Sequence, residues 1–342
     1  MNRAHSLQWL LVALLAAFSL TAHAWNRGTA TAFATLPPGT GHPEGITADA
    51  QGNLYVADFD VSGETAVGNV IVFNHAGQFL RKMDIAGSSP LLLGIAFHPQ
   101  TGALLVIDFG NQTVLKIDPL NATPPTVFTT IPGGTSAGPN ALAFDPAGNV
   151  YISDSFAGKI WSTGPTGSPV ATQWIADPLL ETSGVPPFGA NGLAFNTAFS
   201  ALFVANTGND TILRIPVGAG GAAGTPEVFV NSINGADGLL IDAADNFWVA
   251  ANQSDEIVVL DSSGKVIAKL GDFGGIDARG APIGLLFPAS LVISNGFLYV
   301  TNLALDLRLF GLAQTTNSQW SAQVTRHTIA RMRAQLPPVR GN

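Results

Sequence analysis

Apolar residues in this chain come in short runs of about four to seven, separated by tight polar turns built from Gly, Asn, Asp and Pro. That is the pattern of strands and hairpins, not of helices. Six stretches share one layout: an apolar strand, a polar turn, then a second apolar strand closed by Asp or Asn. They begin at His42, Leu92, Gly138, Gly189, Gly235 and Phe287, and the second strands are predicted to end at Asp58, Asp108, Asp154, Asn206, Asn252 and Asn302. Third strands follow at 69–73, 113–117, 159–161, 211–215 and 256–260, with edge-like fourth strands at 126–128 and 227–230. The turns that start at Asp49 (DAQGN) and Asp145 (DPAGN) have hairpin chemistry.

Four antiparallel strands recurring roughly every 50 residues make the blade of a β-propeller. One such sheet cannot bury both faces alone, so blades stack around an axis. The expected fold is therefore all-β: a six-bladed β-propeller formed by 25–342 as one domain. The sixth unit has its third strand late, at 328–332, and no fourth strand after it. An orphan strand at 29–35 has no first three. The N-terminal strand is thus predicted to complete the last blade and close the ring.

Composition narrows the classes. Charged residues are only 11% of the 342, and Lys+Arg 15 against Asp+Glu 23 leaves a net charge of −8. That balance argues against a nucleic-acid partner. There is no Cys, which excludes disulfides, thiolate metal sites and Cys nucleophiles. Residues 1–24 read as a cleaved signal peptide: Arg3, an apolar stretch at 9–20, then Ala22-His23-Ala24. The apolar stretch is short of the ~20 residues a bilayer core needs. The expectation is an exported protein, periplasmic or secreted, without a membrane span after cleavage, monomeric and acting on a small molecule.

One position per unit faces the axis. Just before the apolar core of each first strand stand Glu44, Leu93, Asn140, Asn191, Asp237 and Ala289. Four of these carry oxygen. Two carboxylates neutralise a divalent cation, and hard oxygens favour Ca²⁺, with Mg²⁺, Mn²⁺ or Zn²⁺ as alternatives. Four protein ligands leave calcium positions open for water or substrate. The same dipeptides, Glu-Gly, Asn-Gly and Asp-Gly, are also common turn pairs, and a turn reading stands beside the metal reading.

The stretches Pro43-Glu44-Gly45, Pro139-Asn140-Ala141-Leu142, Ala190-Asn191-Gly192-Leu193 and Ala236-Asp237-Gly238-Leu239 resemble the senescence-marker-protein/gluconolactonase (regucalcin-like) family of calcium-dependent six-bladed propeller hydrolases. Diisopropylfluorophosphatase and the paraoxonases are more distant relatives of that group. The resemblance implies Glu44, Asn140, Asn191 and Asp237 as calcium ligands and Asp237 as base or nucleophile. It implies hydrolysis of a lactone or related ester. The phosphatase and paraoxonase branches use a His near the axis, whereas Pro288-Ala289-Ser290 stands there here, which favours the lactonase-like branch. No HExxH motif offers another hydrolytic route.

The long segments 59–68, 176–190, 271–288 and 303–325 all map to the face that bears the four oxygen side chains, where binding loops belong. The last, with Phe310 and Trp320, is a candidate lid. Phe59, Phe109 and Phe156 are candidate substrate-binding residues, with packing between blades as their other reading. Asp58, Asp108 and Asp154 read as turn-binding residues rather than catalytic ones. A non-catalytic propeller, similar to NHL-repeat domains and docking a peptide, glycan or protein, is the alternative function. A lyase on the same scaffold is a third.

Overall fold

Each of the six repeated stretches becomes the first two strands of a four-stranded antiparallel sheet in the computed structural model, which describes residues 28–63, 65–312 and 318–336. The expected signal peptide at 1–24 lies outside the described residues. The first strands are His42–Ala48, Leu92–Phe97, Pro139–Phe144, Ala190–Phe195, Ala236–Ile241 and Pro288–Ser294. Successive first strands touch one another, and the sixth returns to the first, so the blades surround one axis. The fold is a six-bladed β-propeller.

The second strands, such as Leu54–Phe59 and Ala201–Asn206, are buried along their whole length. Packed on both faces, they read as continuous apolar runs instead of alternating ones. The cores lie between blades: Tyr55, Val70 and Val72 of blade one pack with Ile95, Leu104 and Val106 of blade two. Blade six closes as expected, because Thr31–Thr35 pairs antiparallel with Thr328–Arg333. Among the described residues no helix is long and apolar enough to cross a membrane.

Three details differ from the sequence expectation. All blades have a fourth strand, including Phe79–Asp84, Thr172–Ala176 and Val266–Leu270. These outer strands are largely solvent-facing, and their sequences, such as Phe79–Asp84 (FLRKMD), mix apolar and polar residues without a regular alternation, so hydrophobic periodicity passes over them. Blade five's second strand ends at Ala251, which pairs with Ala236 as Asp58 pairs with Pro43; Asn252 lies one residue further on. The segment 271–288 contains a small hairpin, Phe273–Ile276 with Pro282–Gly284.

Candidate functional site

The same irregularity interrupts every first strand. Register slips by one residue between Pro43 and Ile46, Leu92 and Ile95, Pro139 and Leu142, Ala190 and Leu193, Ala236 and Leu239, and Pro288 and Leu291. A bulge of this kind bends the strand and re-aims a side chain. The residues at the bulges are the six axial positions. Glu44, Asn140, Asn191 and Asp237 all line one cavity on the axis of ≈ 40 Å³. Each is only 4 or 5% exposed. Leu93 and Ala289 complete the ring and are buried too.

The glycines that follow are not turn residues. A Cβ at Gly45 would collide with the carbonyl oxygen of Leu93, and one at Gly192 with that of Asp237. Neither has a positive φ. Glycine stands there because the next blade's backbone approaches closely, and the side chain before it is left for the axis.

The two amides are oriented by a relay that ties one blade to the next. Ser155 donates its hydroxyl proton to the Ala190 carbonyl at 2.7 Å, and Thr207 donates to the Ala236 carbonyl at 2.8 Å. Each hydroxyl has one proton, so it offers only a lone pair to the amide beside it. Asn140 therefore presents its Nδ2 to Ser155 at 3.3 Å, and Asn191 presents Nδ2 to Thr207 at 2.9 Å. Both Oδ1 atoms are turned the other way. Asn252 donates Nδ2 to Asp237 Oδ2 at 2.9 Å.

Glu44 Oε2 and Asp237 Oδ1 are buried without a hydrogen-bond partner. Burial and the charge of Asp237 hold the Glu44 carboxyl well above the usual carboxylate range. Burial pushes Asp237 up to about 7, against the pull of Asn252 and Asn191. Orphaned, mutually repelling carboxylate oxygens beside two side-chain amides are an oxygen-donor set that fits a hard divalent cation. Among the described residues no group of three or more His, Asp or Glu side chains is arranged to hold a metal; the set here is two carboxylates with two amides.

The sequence reading gave Ser155 and Thr207 no role and took Asn252 only as the end of a second strand. They follow Asp154, Asn206 and Ala251, in the slot that after Asp58, Asp108 and Asn302 holds Phe59, Phe109 and Leu303. The slot is polar only where the axial residue is Asn140, Asn191 or Asp237. Comparing the two rings position by position could have found it. The cavity's remaining walls are apolar, with Phe188, Phe287, Leu305 and Leu307 among them. Phe59 and Phe109 fill that slot and Phe156 stands one residue beyond it; all three line a trough beside the axial cavity. In the candidate lid, 313–317 and the side chain of Phe310 lie outside the described residues, and Trp320 packs edge-on against Phe273.

Asp58, Asp108 and Asp154 are turn-binding, as read. Each accepts the N–H of the chain that leads into its own blade: Gly41 at 3.0 Å, Ser89 at 3.0 Å and Gly138 at 2.7 Å. Asn206 and Asn302 clamp the corresponding segments at Leu179, Glu181 and Leu286. In blade five, where Ala251 takes this place, Asp210 from blade four accepts the Gly235 N–H instead.

Residues 181–271 match the family model described as the SMP-30/Gluconolactonase/LRE-like region. The match is confined to that segment. It spans blades four and five and carries Asn191 and Asp237. The fold as a whole is similar to that of a luciferin-regenerating enzyme, at 16% identity and a TM-score of 0.63 over 89% of this chain and 95% of that one. It is similar to a gluconolactonase from Xanthomonas campestris, at 17% identity and a TM-score of 0.59 over 87% and 88%. A calcium-binding protein, regucalcin, from Agrobacterium tumefaciens is similar at 18% identity and a TM-score of 0.59 over 91% and 99%. At these identities the likeness establishes the fold. No curated protein sequence matches the chain.

Proposed function

We propose that this chain is a calcium-dependent hydrolase of a lactone or related ester, with Glu44, Asn140, Asn191 and Asp237 as cation ligands and Asp237 as the base. The observation that carries the reading is the pair of unpartnered carboxylate oxygens, Glu44 Oε2 and Asp237 Oδ1, in one axial cavity. The SMP-30/Gluconolactonase/LRE-like match over 181–271 supports the reaction class. The leader-like residues 1–24 support export.

Bound among these oxygens, a divalent cation would polarise the substrate carbonyl and stabilise the negative charge that develops on it. The protein's own part is positional. Asn252 holds Asp237 Oδ2 and fixes the plane of the carboxylate, which accepts a proton from the attacking water. The water oxygen adds to the carbonyl carbon, the acyl C–O bond breaks, and the proton passes to the departing alkoxide oxygen. The product is a hydroxy acid, or an acid and an alcohol. Phe59, Phe287 and Leu305 give the axial cavity apolar walls, which strengthens electrostatic interactions inside it.

The test is a panel of lactones and aryl esters assayed in ¹⁸O-labelled water, with calcium and with EDTA. The expected result is turnover with calcium, one solvent oxygen per product, and loss on chelation. Asp237→Asn should fold and lose roughly 10²–10⁴-fold in turnover. Product without solvent oxygen, or full activity in Asp237→Asn, would contradict the proposal.

A further inference from the structure

We infer that the substrate carries an apolar alkyl or aryl group, and that this group lies in the trough beside the axial cavity. The inference rests on the hydrolase reading above and deepens it. The axial cavity, at ≈ 40 Å³, has room for only about three water-sized centres, not for a substrate. The trough, at ≈ 400 Å³, has the size of a small-molecule site. The two share Phe59, Phe188 and Leu307 as walls, so a carbonyl at the axis has its substituent in the trough.

The trough wall is a continuous arc of phenyl rings. Phe59 and Phe109 meet edge-on at 6.1 Å, Phe109 and Phe156 edge-on at 5.5 Å, and Phe156 stacks on Phe188 at 5.7 Å. Phe156 is 46% exposed. Apolar surface open in a concave site marks a ligand surface.

The trough offers almost nothing to a hydroxyl group. Asp60 is the one ionisable residue among its described lining residues. Its carboxylate is already used within its own loop. Oδ1 accepts the backbone N–H and hydroxyl of Ser62, and Oδ2 accepts those of Thr65. A polyhydroxylated sugar lactone would lose water from its hydroxyls here with little in return. An alkyl or aryl lactone, or an ester of such an acid, gains from every buried carbon.

The experiment uses the purified protein with calcium and two series. The first measures kcat/KM for δ-lactones with side chains of increasing length, with δ-gluconolactone as the hydroxylated comparison. The second measures, by calorimetry, binding of the matching δ-lactams, which resist hydrolysis. The inference expects kcat/KM to rise about fourfold per methylene until the trough is filled. Lactam affinity should rise in parallel, and δ-gluconolactone should be the poorest substrate. Phe156→Ser, at a half-exposed position, should flatten both slopes. Turnover of δ-gluconolactone that equals or exceeds that of the alkyl lactones overturns the inference and leaves the hydrolase reading intact. Lactam affinity that climbs with chain length while no lactone is hydrolysed supports the apolar site and overturns the hydrolase reading. Lactam affinity independent of chain length overturns the inference.

Discussion

Single side chains carry the electrostatics of this site. Thr207 decides which way Asn191 faces, because its only proton goes to the Ala236 carbonyl. Thr207→Val removes both bonds at nearly constant shape. It should weaken calcium binding by about tenfold or more, as loss of a ligand's supporting bond commonly does. Thr207→Ser should restore it, and calorimetry on the three proteins checks the prediction; equal affinities would remove Thr207 from the account. Asp58 tests the charge side. Burial pushes it up to about 7, with Asp60 adding to the rise and with the Gly41 N–H, Asn69 and Lys82 opposing it. Its folded-state value is above the ordinary 3.8. The group therefore stabilises the fold below about pH 4, and that contribution is lost as pH rises through about 7. Asp58→Asn keeps an oxygen for the Gly41 N–H and removes the titration. Its Tm relative to the parent should increase from pH 5 to about pH 7 and level off above that. A difference that stays constant over that range would contradict the assignment.

At the scale of elements, the bulge and the clamp act together. The bulge aims the axial side chain, and the Asp or Asn that closes the second strand fixes the chain entering the first. Asp154 shows the arrangement most fully. Oδ1 accepts the N–H groups of Gly138, Phe156 and Ala157, and Oδ2 accepts the Trp161 indole N–H. Asp154→Ala leaves four donors without this partner in a buried place and should cost about 3 kcal/mol or more in urea unfolding. It should also weaken calcium binding, since Gly138 is two residues before Asn140. Stability within ~0.5 kcal/mol of the parent would contradict the clamp. These elements were unevenly legible in the sequence. Second strands announce themselves, since packing on both faces demands unbroken apolar runs. Outer strands such as Phe79–Asp84 do not, because water covers much of them. The bulges were invisible, since an extra residue in a ladder leaves no mark on composition. Gly45 and Gly192 looked like turn residues because close approach of a neighbouring blade and a tight turn both require glycine.

The whole molecule is a ring whose two ends meet in blade six, and this was readable as an orphan strand at one end and a missing one at the other. Closure brings Glu44 of blade one to the same side of the ring as Asp237 of blade five, with only blade six between them. Thr301 of blade six donates to the Glu44 carbonyl at 2.7 Å, so the joint also anchors a candidate ligand. The residues at the axis were legible because one position recurs in each unit. Ser155, Thr207 and Asn252, which orient three of them, were not, because they lie in a second ring that only the blade geometry sets beside the first. The central claim is that the ring holds one divalent cation between Glu44, Asn140, Asn191 and Asp237. Calorimetric titration of the chelator-treated protein with calcium tests it most directly. The account predicts one saturable site per chain, lost or strongly weakened in Glu44→Gln with the fold retained. Absence of binding, or binding that Glu44→Gln leaves unchanged, would contradict it.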